Sequence, residues 1–216
     1  MSSKKSGRAA PDKKLAAVCG LFCPGCGFFI GTTEDPARLQ TLSERFKLPA
    51  EELTCYGCRS EKRAFYCEKH CRMTGCAAEK GIDFCGECPE YPCTELKEFQ
   101  AQMPHRLELW ECQARIREVG YEKWYAEMIE HYSCPKCHTL NSAYDIACRK
   151  CGTTPSCEYV RLHKDDVAKI ASTMGPGISP SPLSSPVEGE EVSTFPRGEG
   201  EGTASRAPTV TLVAGL

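Results

Sequence analysis

The sequence predicts a small, irregular α+β protein stapled by metal: a cysteine-rich N-terminal domain, a helical connector and a C-terminal zinc ribbon. Three observations carry this prediction. Seventeen of the 216 residues are cysteine while only 8% are aromatic, a balance expected where cross-links replace part of an apolar core. Most of the cysteines stand in close pairs or triplets, so short turns present several sulfurs together. Between the two cysteine groups runs the most clearly amphipathic stretch of the chain, residues 121–132.

The cross-links are read as metal sites rather than disulfides. The opening MSSKKSGRAAPDKK carries charge but no apolar run that could serve as a signal-peptide core, so a cytoplasmic, reducing location is expected, where C-x2-C pairs act as ligands. The cysteine count is odd, which full disulfide pairing would not give. No segment approaches the roughly 20 apolar residues of a membrane span, so no membrane partner is expected. Charge is uneven, with five Lys/Arg in residues 1–14 and five Glu beyond Ser172. The middle, 20 basic against 23 acidic residues, lacks the excess that marks a dedicated nucleic-acid surface.

In chain order, residues 1–14 are expected to be a disordered basic leader and 15–103 the cysteine-rich domain. Within it Asp35 before Pro36 is a helix start, and Leu39, Leu42 and Phe46 share one face of a helix over about 36–47, with that stripe packed in the core. Thr94 opens a second helix with Leu96, Phe99 and Met103 inward, interrupted by Pro104. The connector, 104–133, holds a helix over about 105–119 stopped at Gly120. A second connector helix, 121–132, places Tyr121, Trp124, Tyr125, Met128, Ile129 and Tyr132 at i, i+3, i+4, i+7, i+8 and i+11. Residues 134–171 form the ribbon with a short C-terminal extension. From 172 to 216 the Pro, Gly, Ser and Glu composition predicts a disordered tail.

The ribbon has the sharpest pattern. Cys134-Pro-Lys-Cys137 and Cys148-Arg-Lys-Cys151-Gly152 are two C-x2-C turns separated by ten residues, and two such turns close a tetrahedral four-sulfur zinc site. Four thiolates leave zinc no open position, so this site is expected to be structural. His138 stands after the first pair where Gly152 stands after the second. Cys157 falls outside the pattern.

The first group runs Cys19, Cys23, Cys26, Cys55, Cys58, Cys67, Cys71, Cys76, Cys85, Cys88 and Cys93. Eight of these serve two zinc sites with three left over; three sites need a twelfth ligand from His70, His105 or Cys112. Cys23/Cys26 is expected to pair with Cys55/Cys58, and Cys85/Cys88 with two of Cys67, Cys71, Cys76 and Cys93. In total two to three zinc ions are expected, with an iron–sulfur centre in the first group as the alternative. CGLFCPGC also matches the C-x3-C-x2-C spacing of radical enzymes. The chain has no room for the barrel that chemistry needs, and Gly25 stands where an aromatic is usual. The ferredoxin run C-x2-C-x2-C-x3-C-P is absent, and CPGC lacks the strand–helix–strand setting of a thioredoxin.

The segments CGLFCPGC, DPARLQTLSERFKLPAEELTCYGCRSE, FYCEKHC, GCAAEKGIDFCGECPEYPCTELKEF and GYEKWYAEMIEHYSCPKC together resemble an uncharacterised cysteine-rich family of bacterial and archaeal proteins presumed to bind zinc. Some of its members carry a C-terminal zinc ribbon. The resemblance runs over about residues 17–152, and FCGECPEYPC is its most specific part. It implies metal binding by the quoted cysteines and no particular activity. The chain is therefore expected to be a non-catalytic zinc-binding module that contacts another macromolecule. The alternatives are an iron–sulfur or thiol-based redox or metal-handling protein, and nucleic-acid binding through Lys136, Arg149 and Lys150 of the ribbon. No phosphate-binding glycine loop or H-E-x-x-H occurs, and the five histidines show no paired ligand spacing.

Overall fold

Short helices separated by cysteine turns build the protein. The computed structural model describes residues 11–173, with side chains to 169, and all of these lie in one unit of the chain. The leader before residue 11 and the tail beyond 173 lie outside the described residues. Asp12, counted with the leader, caps a short 3-10 turn at Lys13–Leu15 by accepting from the Lys14 amide at 2.9 Å.

The triplet Cys19, Cys23 and Cys26 leads into α1 (Gly27–Thr33), followed by α2 (Pro36–Phe46) and α3 (Ala50–Leu53). The Asp35 carboxylate accepts from the Arg38 amide at 3.1 Å, Pro36 takes the first helical position, and Lys47 ends α2 in the left-handed conformation. This is the start and stop that the sequence predicts. The stripe on α2 differs from expectation: no residue of α2 is fully buried and Phe46 is exposed, its ring 5.7 Å from that of Phe28. The helix covers α1 at the periphery. A Cβ on Gly31 would lie 3.1 Å from the Leu39 backbone, so the two helices meet almost backbone to backbone.

Next come α4 (Phe65–Lys69), α5 (Met73–Lys80) and α6 (Thr94–Ala101), the last with Leu96 and Phe99 buried as its spacing requires. Then α7 (Leu109–Val119) and α8 (Tyr121–Tyr132) follow across Gly120, whose φ of 81° turns the chain. Trp124 is fully buried and Tyr132 nearly so, and Tyr121, Tyr125, Met128 and Ile129 pack against the same core. The longest helix, α9 (Glu158–Thr173), stands where the sequence predicts only a short extension. Tyr159, Val160 and Val167 give it a buried face.

The α+β expectation is corrected. Among the described residues the fold is mostly helical, and β structure is confined to two isolated antiparallel bridges, Ala16 with Phe22 and Ser133 with Leu140. Each cysteine pair spends its backbone on a tight turn, and ten residues between Cys137 and Cys148 leave little chain for a ladder. Side chains close the ribbon instead. The buried Asn141 amide donates to Thr139 O at 2.8 Å and to Ser156 O at 3.1 Å, while its oxygen accepts from the Arg149 amide at 3.0 Å.

Two apolar clusters share the interior. One gathers Phe22, Phe84, Cys112, Ile116, Trp124, Tyr132, Ala143, Tyr159 and Val167, drawing on the N-terminal segment, α7, α8, the ribbon and α9. The other holds Val18, Cys19, Met73, Leu96 and Leu109, with Cys23, Cys58, Cys71, Cys85 and Cys93 packed on it. Thus much of the first cysteine group replaces apolar side chains in a core. No described helix is long and apolar enough to cross a membrane.

Candidate metal centre

The four ribbon cysteines converge. The sulfurs of Cys134, Cys137, Cys148 and Cys151 all lie within 4.8 Å of one another, with Cys134 to Cys151 and Cys137 to Cys148 each 3.6 Å apart. A tetrahedron with metal–sulfur bonds near 2.3 Å has edges of about 3.8 Å, so this set could hold a four-thiolate ion with little adjustment.

The site is one local design used twice. His138 N–H donates to Cys134 O at 3.0 Å and Gly152 N–H to Cys148 O at 2.9 Å. Both positions need a left-handed residue, and the φ values are 57° and 72°. Glycine takes this conformation freely; histidine does so at a cost. Each turn is then closed two residues past its second cysteine, where Thr139 O accepts from Cys134 N–H at 2.9 Å and Thr153 O from Cys148 N–H at 2.8 Å. The two threonines also face the sulfurs, Oγ1 lying 3.3 Å from Cys137 Sγ and 3.2 Å from Cys151 Sγ. Hydroxyl and amide of Thr153 hold the Cys151 thiol down at about 6, and those of Thr139 lower Cys137. Burial instead pushes Cys148 up to about 11. The C-x2-C-x-T repeat was legible in CPKCHT and CRKCGT, yet spacing rules for zinc ligands stop at the cysteines.

Arg149 turns inward. Its Nε donates to Leu140 O at 2.8 Å and its guanidinium pairs with Glu34 of the N-terminal part. Asp145 of the ribbon insert likewise pairs with Arg38 on α2 at 2.7 Å. Among the described residues no ion pair is seen for Lys136 or Lys150.

The N-terminal cysteines are placed as neighbours but more openly. Among the described residues, only the ribbon set brings three or more ligand atoms within 4.8 Å of one another. Cys26 is pushed up to about 11 by burial and by Cys55, against the amides of Phe29 and Phe28. Cys67 is raised by burial, then by Cys26 and Cys55. Cys23 is raised by burial and by Cys58, whose backbone amide also donates to the Cys23 sulfur. Cys19 is raised by burial, then by Cys58, Cys71 and Cys85. Cys85 reaches about 12 through burial, then Cys93, Cys76, Cys71 and Cys88. Such shifts are what closely packed thiols show, since the charged form loses water and meets like charges.

Of the three reserve ligands, Cys112 and His105 are engaged elsewhere. Cys112 packs in the apolar cluster with its sulfur 3.9 Å from Met128 Sδ, His105 Nδ1 lies 2.7 Å from the Tyr144 hydroxyl, and His70 is exposed, lining an open surface groove with Tyr66 and Glu95. One contributor had no sequence cue. Gln113 on α7 is fully buried, its Nε2 donating to Val18 O at 3.0 Å and its Oε1 accepting from Gly86 N–H at 2.7 Å. It thereby fastens the turn of Cys85 and Cys88 to the loop of Cys19. The histidines also pair in a way their spacing hides: Nε2 of His131 and of His163 lie 2.8 Å from the Glu108 carboxylate.

No curated protein and no solved structure matches the chain. Residues 15–98, with all eleven N-terminal cysteines, match the model of a family described as protein of unknown function (DUF3795).

Proposed function

We propose that this is a non-catalytic zinc-binding protein whose metal sites are structural and whose role is to present a surface to another macromolecule. The observation that carries the proposal is the ribbon site. Two equivalent turns bring four sulfurs within 4.8 Å of one another, with two of the edges at 3.6 Å, and four thiolate ligands would leave a bound ion no vacant position for water or substrate. Four-thiolate, tetrahedral coordination favours zinc over the oxygen-seeking ions. Its binding energy, on the order of 10–16 kcal/mol in small zinc peptides, is folding energy where the site does not preexist in the unfolded chain. Ribbon residue Ala143 packs in the same apolar cluster as Trp124 and Tyr159, so the ion supports more than its own hairpin.

Cobalt substitution of the full-length chain tests this reading. Tetrahedral thiolate coordination gives intense visible d–d bands, expected to diminish but not vanish in Cys148→Ser and to be unchanged in Cys112→Ser. An octahedral spectrum, or one insensitive to Cys148→Ser, would remove the ribbon site from the account.

A further inference from the structure

The two turns of the ribbon site are equivalent, but their four sulfurs are not. Cys134 and Cys148 are buried, whereas Cys137 is half-buried and Cys151 is exposed. Each of the two 3.6 Å contacts joins an outer sulfur to an inner one of the opposite turn, Cys151 to Cys134 and Cys137 to Cys148. Resting on the zinc-thiolate reading above, we infer that the ribbon is a site of thiol–disulfide exchange. A low-molecular-weight disulfide enters at Cys151, and the ion gives way to two cross-turn disulfides, Cys134 with Cys151 and Cys137 with Cys148.

Exposure fixes the order of events. The nucleophile in such an exchange is a thiolate, and the oxidant must reach it. Of the four ribbon cysteines only Cys151 is exposed. Its neighbour Lys150 is exposed as well and offers a cation to a disulfide that carries carboxylates. Thr153 Oγ1 lies 3.2 Å from the Cys151 sulfur, where its hydroxyl can donate to the thiolate and keep it ionised as its bond to the ion breaks. Thr139 Oγ1 is placed in the same way, 3.3 Å from the Cys137 sulfur.

The exchange balances in two rounds. The Cys151 sulfur attacks one sulfur of the oxidant, a mixed disulfide forms, and one thiolate of the oxidant leaves. Cys134, 3.6 Å away, then attacks the Cys151 sulfur, closes the first cross-turn disulfide and expels the second thiolate. A second oxidant molecule does the same to Cys137 and Cys148. Four cysteine thiolates are thereby oxidised to two disulfides, two oxidant disulfides are reduced to four thiolates that take up protons from solvent, and the divalent ion is released. Each pair closes from 3.6 Å to the roughly 2.05 Å of an S–S bond.

The pairing decides what happens to the fold. The C-x2-C spacing alone suggests a disulfide within each turn, Cys134 with Cys137 and Cys148 with Cys151, and such bonds would leave the two turns unjoined. Cross-turn bonds join them as the ion did. The hydrogen bonds of Asn141 to Thr139 O, Ser156 O and the Arg149 amide hold the insert without involving any sulfur. Oxidation therefore empties the ribbon of metal without opening it.

The test is oxidation of the zinc-loaded, full-length chain with glutathione disulfide, followed by zinc transfer to a chromophoric chelator and tryptic mass mapping after free thiols are blocked. Trypsin cuts after Lys136, Arg149 and Lys150, so residues 137–149 form one peptide that holds both Cys137 and Cys148. This peptide is expected to lose two hydrogens by internal bridging. The peptide ending at Lys136 is expected to be linked to the one beginning at Cys151, through Cys134 and Cys151, with zinc released in step. Lys150→Glu, a surface change, should slow the reaction with glutathione disulfide about threefold at low salt and not slow that with the cationic disulfide cystamine. Equal slowing with both oxidants would overturn entry at Cys151. Bridges within the turns, mixed disulfides that never resolve, or ribbon cysteines that remain thiols in excess oxidant would overturn the exchange itself. A zinc content before oxidation that is unchanged in Cys148→Ser would instead overturn the zinc-thiolate reading on which the inference rests.

Discussion

Single residues decide how the cysteine turns hold their shape. Asn141 replaces a β ladder in the ribbon, and removing its three hydrogen bonds leaves buried backbone groups without partners. Asn141→Ala is expected to cost about 2–4 kcal/mol, measured as a shift in the denaturation midpoint of the zinc-loaded protein. An effect below the level of a surface substitution would show that the ribbon is closed by metal alone. His105 sets an acid limit. Burial, then Arg106, lowers its pKa from 6.5 to about 3, so the unfolded chain takes up a proton in that window while the folded one does not. Stability from this group is complete above pH 6.5 and falls as the pH drops toward 3, by at most about 5 kcal/mol. His105→Phe, which also gives up the Tyr144 contact, should flatten the pH dependence of unfolding between those limits. The cysteines and Gly152 were legible from spacing. Gln113 was not, because a glutamine inside a helix carries no local pattern and acquires its role only when Val18 and Gly86 arrive from distant parts of the chain.

Helices and turns meet through a few tight contacts. Gly25, between Cys23 and Cys26, lies so close to Tyr132 that an added Cβ would stand 2.7 Å from the ring. Tyr132 itself is two residues from Cys134 and stacks on Tyr159 at 5.3 Å. Gly25→Ala is therefore expected to cost about 1–3 kcal/mol by overpacking, and to loosen metal at both ends of this contact, read as faster zinc transfer to a chelator from two classes of site. Transfer accelerated from the first group alone would show that the contact does not couple them. At the same end of α8, burial pushes the Glu108 carboxyl up, but the hydrogen bonds from His131 and His163 outweigh it and hold the carboxyl below its ordinary value. The stability this gives is present above about pH 4.5 and is lost as the pH falls through the lowered value. Glu108→Gln should remove that acid-sensitive part, and with it the tie between α7, α8 and α9. The helices over 36–46, 94–101 and 121–132 were legible from caps and periodicity. The burial of the α2 stripe and the existence of α9 were not, because periodicity shows which residues share a face and leaves open whether anything covers it.

At the scale of the molecule, cysteine does the work of an apolar core in the N-terminal half, while a conventional core of aromatic residues joins α8, α9 and the ribbon. The family matched by residues 15–98 corresponds to the half in which sulfur dominates. The α+β expectation rested on the paired strands that a zinc ribbon implies, whereas the pairing of Ser133 with Leu140 is a single bridge. Cooperative unfolding follows from the shared core, so Cys134→Ser with Cys137→Ser should lower the melting temperature of the whole described region and not of the ribbon alone. Two separate transitions, the first confined to residues beyond 133, would contradict this.

If the cysteines hold zinc in structural thiolate sites, the full-length chain purified without oxygen will carry zinc, no iron and no visible band, read from its metal content and absorption spectrum. Iron with inorganic sulfide and a broad absorption near roughly 400 nm, arising from iron–sulfur ligation, would contradict it and assign the first cysteine group to redox chemistry.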